Sequence, residues 1–230
     1  MKTIGLLGGM SWESTALYYQ LINEGVKKQL GRLHSARIVL VSVDFQEIEE
    51  LQQGHEWAEA ARVLAMAAGQ VEAAGADFLL ICTNTMHKVA PQVQEAIEIP
   101  ILHIADATAG RIKAEGKNRI GLLGTNFTME EAFYKGRLAN EHGLEVLIPP
   151  KQDRDIVHGV IYEELVLGLV EEGSRQEFLR IINDLQDQGA EGVIEGCTEI
   201  VMLVQQQHTD VPLYDTTAIH AQQAVDAALS

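Results

Sequence analysis

The chain has 230 residues, 47% of them apolar, and carries a formal net charge of −16. That is enough material for one large domain or two of about 115 residues, and the charge excludes nucleic acid or an anionic membrane as partner. An anionic ligand would meet a repelling field, so its carboxylates need backbone N–H groups or helix N-termini close by. Two widely separated cysteines read as reduced thiols of a cytoplasmic protein. No basic leader is visible, and no apolar run reaches the roughly 18 residues of a membrane span.

Taken in chain order, short apolar runs alternate with helical segments, which predicts an α/β fold with parallel sheets. Strands are expected over 3–7, 37–42, 78–82, 101–103, 119–123, 145–147, 192–195 and 213–214. The first helix should begin near Trp12, with Ser11 as its cap and Glu13 in the first turn, where the helix dipole favours an acid. The alanine-rich stretch 56–74 is strongly helical. Two helices over 156–172 and 174–188 should join around Gly173, and 217–229 should form the last one.

The chain also says nearly the same thing twice. KTIGLLGGM (2–10) returns as NRIGLLGTN (118–126), GADFLLICTNT (75–85) as GAEGVIEGCTE (189–199), and IPILH (99–103) as VPLYD (211–215). Two pseudo-symmetric, Rossmann-like parallel-sheet domains are therefore expected, 1–104 and 105–212, with the helix at about 213–230 packing back on the first. Open α/β sheets bind ligands at the carboxyl ends of their strands, so the active site is expected in the cleft between the domains. The repeat places Cys197 opposite Thr83, a thiol facing a hydroxyl.

The glycines of GLLGGM (5–10) suit a tight turn, either for local geometry or for bringing amides to an anion. The motif is not GxGxxG, and no acid on a second strand completes a dinucleotide site. A helix after each of CTNT (82–85) and GCTE (196–199) would aim its positive end at an anion, and the one after Cys197 could lower its thiol pKa. Cys82 lies one residue before the position opposite Cys197, on the other strand face, and is assigned to the core. His87, four residues after Thr83, is a surface or packing residue, or else one that orients the motif or hydrogen-bonds across the cleft. No metal is expected, because the histidines lack ligand spacing.

GLLGGMSWEST, CTNTMH, EGCTEI and the closing TTAIHA together resemble the aspartate/glutamate racemase superfamily, over essentially the whole chain. GCTE rather than GCTH places the resemblance nearest the aspartate racemase and broad-specificity amino-acid racemase branch. The resemblance implies a homodimer that needs neither pyridoxal phosphate nor metal and acts on a small amino acid or dicarboxylate. Cys197 matches the family's second cysteine. Thr83 takes the place of the first, so the two would serve opposite faces of the substrate Cα. Asn84, Thr85 and Thr198 match positions that hold the substrate carboxylates, Met10 and Gln52 fall in loops that reach the substrate, and Glu199 closes the second motif. Leu167 stands where many relatives have lysine, so recognition of an acidic side chain is not carried over. Glu195 departs from the usual apolar residue. It shares a strand face with Cys197, where its carboxylate would raise the thiol pKa, unless strand twist takes it to solvent. The leading expectation is a cofactor-independent racemase of aspartate, glutamate or a homoserine-like substrate. The alternatives are a single-cysteine decarboxylase of the malonate type and a degenerate binder of amino or dicarboxylic acids.

Overall fold

A computed structural model describes all residues 1–230. Contacts divide the chain into two compact units, 1–104 with 217–230, and 105–216.

The first unit opens with β1 (Thr3–Gly8) and α1 (Trp12–Leu30). Ser11 caps α1 by accepting the Ser14 N–H at 3.3 Å. Tyr18, Ile22 and Val26, one helical turn apart, form its buried stripe. β2 (Arg37–Ser42) leads to α2 (Phe45–Gln53), capped by Asp44, and α3 (Trp57–Ala73). Alanines 60, 61, 67 and 68 with Leu64 and Val71 give α3 a smooth buried face. β3 (Phe78–Ile81) ends in a 3₁₀ turn over Thr85–Val89, followed by α4 (Ala90–Glu95) and the start of α5 (Ile104–Ala114). The sheet order is β2-β1-β3, all parallel.

The second unit holds the rest of α5, then β4 (Arg119–Gly124), α6 (Asn126–Glu130), α7 (Ala132–Asn140), β5 (Glu145–Leu147), α8 (Lys151–Glu163), α9 (Glu172–Asp187), β6 (Val193–Gly196), α10 (Ile200–Leu203) and β7 (Leu213–Asp215). Its sheet is parallel in the order β5-β4-β6-β7. The order β5-β4-β6 repeats β2-β1-β3, so the sequence repeat is a repeat of topology. The closing helix α11 (Thr216–Leu229) lies in the first unit from Thr217 on, where Ala221, Ala224, Val225 and Ala228 join Ile4, Leu6, Tyr18 and Ile22 in one core. No helix is long and apolar enough to cross a membrane.

Four expectations need correction. No strand forms over 101–103: a single bridge joins Leu79 to Ile101 and α5 begins at Ile104, leaving no room to extend the ladder. Its counterpart in the repeat, β7, does form. The helix expected over 156–172 begins at Lys151 and ends at Glu163. The break falls at Gly168 rather than Gly173, since Gly168 takes the left-handed conformation (φ 75°) that favours glycine, while Gly173 lies inside α9. Gln52 is on helix α2 and not in a loop, because Asp44 starts a helix there by accepting the Gln46 N–H. The helical segments after Thr83 and Cys197 are a 3₁₀ turn and a four-residue helix, too short to present a full helix dipole.

Candidate active site

The two repeated motifs leave the carboxyl ends of β3 and β6, as parallel α/β sheets require.

In the second unit, Cys197 follows Gly196, the last residue of β6. Gly196 runs against its neighbour so closely that a Cβ there would lie 2.7 Å from the Leu123 carbonyl oxygen. A larger residue would push the strand end, and Cys197 with it, away from β4. Cys197 is 9% exposed, and its Sγ donates a hydrogen bond to Glu199 Oε2 at 3.0 Å. Thr198 Oγ1 donates to the same oxygen at 2.7 Å. Burial first, and then the Glu199 carboxylate, push the Cys197 pKa well above the ordinary thiol value; the backbone N–H groups of Glu199 and Thr198 oppose the shift and do not cancel it. The resting group is therefore a protonated thiol whose proton already points at a carboxylate.

Glu195 is a second carboxyl of this unit, and neither expectation for it holds. It is 3% exposed, so twist does not carry it to solvent. The carboxylate that raises the Cys197 thiol is Glu199; Glu195 is not among the causes. Glu195 instead pairs in register with Asp215 of β7, and its Oε1 is buried without a hydrogen-bond partner. Burial, aided by the Asp215 charge, lifts its pKa to about 8, which leaves it mostly protonated at neutral pH.

In the first unit, Thr83, Asn84 and Thr85 leave β3 together; Thr83 is half-buried, Asn84 and Thr85 are buried. The Thr83 carbonyl accepts a 2.8 Å hydrogen bond from His87 Nδ1. Cys82 lies in the core at 0% exposure, and burial raises its thiol pKa strongly, so it is inert as an acid or base. Met10 is buried in the apolar cluster that includes Leu7, Ile48 and Met86, and Gln52 Nε2 donates to Met86 Sδ at 3.0 Å. In the glycine turn, Gly9 adopts φ 94°, a Cβ there would run into the Val43 carbonyl oxygen, and its N–H is taken by Thr15 Oγ1 at 2.8 Å.

The structure thus joins Cys197, Thr198 and Glu199 through one carboxylate oxygen and keeps Thr83, Asn84 and Thr85 adjacent, while Met10 and Gln52 belong to the packing around Met86. The contact from Sγ to Glu199 is what sequence reasoning missed. Its only signal was an acid two residues after the cysteine, at a point where the strand had already ended.

Comparison with known proteins points one way. The family model for Asp/Glu/Hydantoin racemase matches residues 7–224. The chain is 55% identical to a Yersinia pestis protein whose crystal structure is described as that of a candidate Asp/Glu racemase, over the whole of both chains and with a TM-score of 0.95. It is 32% identical to an aspartate racemase homologue from Pyrococcus horikoshii, again over the whole of both chains, with a TM-score of 0.85. It is also similar to the broad-specificity amino-acid racemase RacX of Bacillus subtilis, at 22% identity over 99% of this chain and 98% of that protein. With its two parallel sheets, repeated topology and strand-end motifs, the chain belongs to the Asp/Glu/Hydantoin racemase family and is an isomerase of the amino-acid racemase type.

Proposed function

We propose that the protein inverts the Cα configuration of a small amino acid such as aspartate, glutamate or homoserine, with Cys197 as the acid/base on one face of the substrate and Thr83 serving the other. The observation that carries this reading is the hydrogen bond from Cys197 Sγ to Glu199 Oε2. A thiol with a raised pKa holds its proton and is scarcely ionised at neutral pH, so it needs a base before it can accept another. A carboxylate at 3.0 Å gives its proton a place to go. In the deprotonating direction Glu199 takes the thiol proton, the thiolate removes the α-proton, and the C–H electron pair remains on Cα, delocalised into the substrate carboxylate. The carbanion is then reprotonated from the Thr83 face, a water molecule replenishes that proton, and Glu199 returns the thiol proton to the hydroxide so formed, which resets the site. A threonine hydroxyl is a weak base without an activating partner, so this face is the slower one. Asn84, Thr85 and Thr198 supply short polar groups for the carboxylates. Glu199 acts on Cys197 in this reading, in addition to closing the motif. Enantiomers are equal in free energy, so kcat/KM must be the same in both directions, although kcat need not be.

Family membership, together with two free cysteines, supports taking the enzyme as a cytoplasmic homodimer. Sedimentation at micromolar concentration tests the dimer.

The deciding experiment is proton NMR of L-aspartate, L-glutamate and L-homoserine with the enzyme in D₂O, followed by chiral chromatography. Deuterium at Cα with the D-enantiomer is expected, lost in Cys197→Ser. Deuterium with retained configuration would remove Thr83 from the mechanism. No exchange with any of the three would overturn the proposal.

A further inference from the structure

Three imidazoles gather beside Thr83 in the first unit. His87 is 1% exposed, and both its ring nitrogens meet backbone groups of fixed polarity. Nδ1 lies 2.8 Å from the Thr83 carbonyl oxygen, which can only accept. Nε2 lies 3.3 Å from the Ile104 N–H, which can only donate and which opens helix α5. Only the neutral ring with its proton on Nδ1 satisfies both.

Of the neighbouring rings, His220 is held by two hydrogen bonds. His220, fully buried, has Nε2 2.7 Å from the Leu102 carbonyl oxygen, so that nitrogen must donate. Its Nδ1 lies 2.9 Å from the Tyr18 hydroxyl, a group that can donate or accept. The His87 ring centroid is 4.4 Å from that of His103 and 6.0 Å from that of His220. The lone pair of His87 Nε2 is taken by the Ile104 N–H.

The bond to Thr83 replaces one that the backbone does not make. In an α-helix the carbonyl of residue 83 would accept from the N–H of residue 87. Here the chain takes the tighter 3₁₀ path, and the His87 N–H goes to the Asn84 carbonyl oxygen at 3.1 Å. The His87 side chain supplies the donor instead.

We propose that His87 is a positioning residue for the reaction: its neutral imidazole fixes the peptide plane of Thr83, and through it the direction of the Thr83 hydroxyl. This rests on the reading that Thr83 serves one face of the substrate. Losing the donor would loosen the Thr83 face and leave the Cys197 face working.

The test compares His87→Leu, which has no donor, with His87→Asn, whose amide N–H can stand where Nδ1–H stood. Both are assayed in D₂O for α-deuterium incorporation with retained configuration and for inversion, and their melting temperatures are compared with that of the native enzyme. Inversion is expected to fall about tenfold or more relative to exchange in His87→Leu, and to be largely restored in His87→Asn. Inversion and exchange falling in parallel, or equal effects of the two substitutions, would overturn the positioning role in an otherwise active racemase. A native enzyme that neither exchanges nor inverts would overturn the proposed function as well. Nitrogen-15 NMR of the native protein gives a check independent of any variant's folding. A protonated Nδ1 and an unprotonated Nε2 on His87 at neutral pH are expected, and the opposite tautomer or a doubly protonated ring would overturn the proposal.

Discussion

Glu195 makes the sharpest claim at the scale of single residues. Its carboxyl titrates at about 8 in the folded protein against an ordinary value of 4.5. Between those values the native state holds a proton that the unfolded chain has released. Stability therefore falls as pH rises through that window and levels off above it. Glu195→Gln removes the cost of taking up that proton on folding and is expected to stabilise the protein at pH 7 by an amount on the order of 3 kcal/mol. Urea denaturation of both proteins at pH 5, 7 and 9 checks the size and the sign, since the gain should shrink toward pH 5. Glu199 makes the second claim. Its charge helps hold the Cys197 thiol up, so Glu199→Gln should lower the pH at which thiolate absorbance near 240 nm appears. Turnover should nevertheless fall about 10²-fold, because the proton has lost its acceptor. A more easily ionised thiol in a slower enzyme is the signature of a base; unchanged absorbance would assign the raised thiol to burial alone. Cys82, buried and far harder to ionise than an ordinary thiol, should not contribute to the signal.

At the scale of elements, α2 shows how much rests on one cap. The helix has nine residues, and Asp44 Oδ1 accepts the Gln46 N–H at 3.0 Å at its start. Asp44→Ala leaves that donor unsatisfied and is expected to cost about 1 kcal/mol in urea denaturation. Gln52 sits near the other end of the same helix, so a rise in KM beyond the loss in stability would show that α2 bears on substrate binding. Gly168 illustrates the complementary case. Two glycines could each have stopped a helix here, and the chain chose the one that takes positive φ. Composition alone cannot distinguish them, because the difference lies in where α8 begins: Pro150 accepts the N–H groups of Asp153 and Arg154 and starts the helix several residues before the apolar periodicity becomes visible. The strand expected at 101–103 fails for a similar reason. Its apolar residues suit a strand, but α5 claims the backbone from Ile104 onward.

For the molecule as a whole, the net charge of −16 sets the conditions under which any anionic substrate arrives. Aspartate carries a net negative charge at neutral pH and homoserine carries none. Raising ionic strength from 10 to 200 mM screens the protein's field, so kcat/KM for aspartate is expected to rise about 2- to 5-fold while that for homoserine stays flat. Equal salt dependence for the two would mean that local groups set the field at the site. The two units also differ in how they complete their sheets. The second adds β7 beside β6, and β7 carries the Asp215 that faces Glu195. The first stops at a bridge, and its core is completed by α11, whose His220 meets Tyr18 and the Leu102 carbonyl.

By itself the sequence determined the alternation of strands and helices, the internal repeat, the parallel topology and the family. Each is written in patterns that survive without coordinates: apolar periodicity, repeated strings, and the combination of GLLGGMSWEST with CTNTMH and EGCTEI. It also placed Cys197 and Thr83 just past the ends of strands, because strand ends are marked by where apolar runs give way to small polar residues. Only the tertiary structure decided which carboxyl meets the thiol. Strand alternation pointed to Glu195, but alternation holds only while the strand lasts. Past Gly196 the chain turns, and the turn brings Glu199 to Sγ while Glu195 stays buried against Asp215. The tautomer of His87 was likewise beyond the sequence, since it depends on a carbonyl four residues back and an N–H seventeen residues on, which the fold brings to the two edges of one ring.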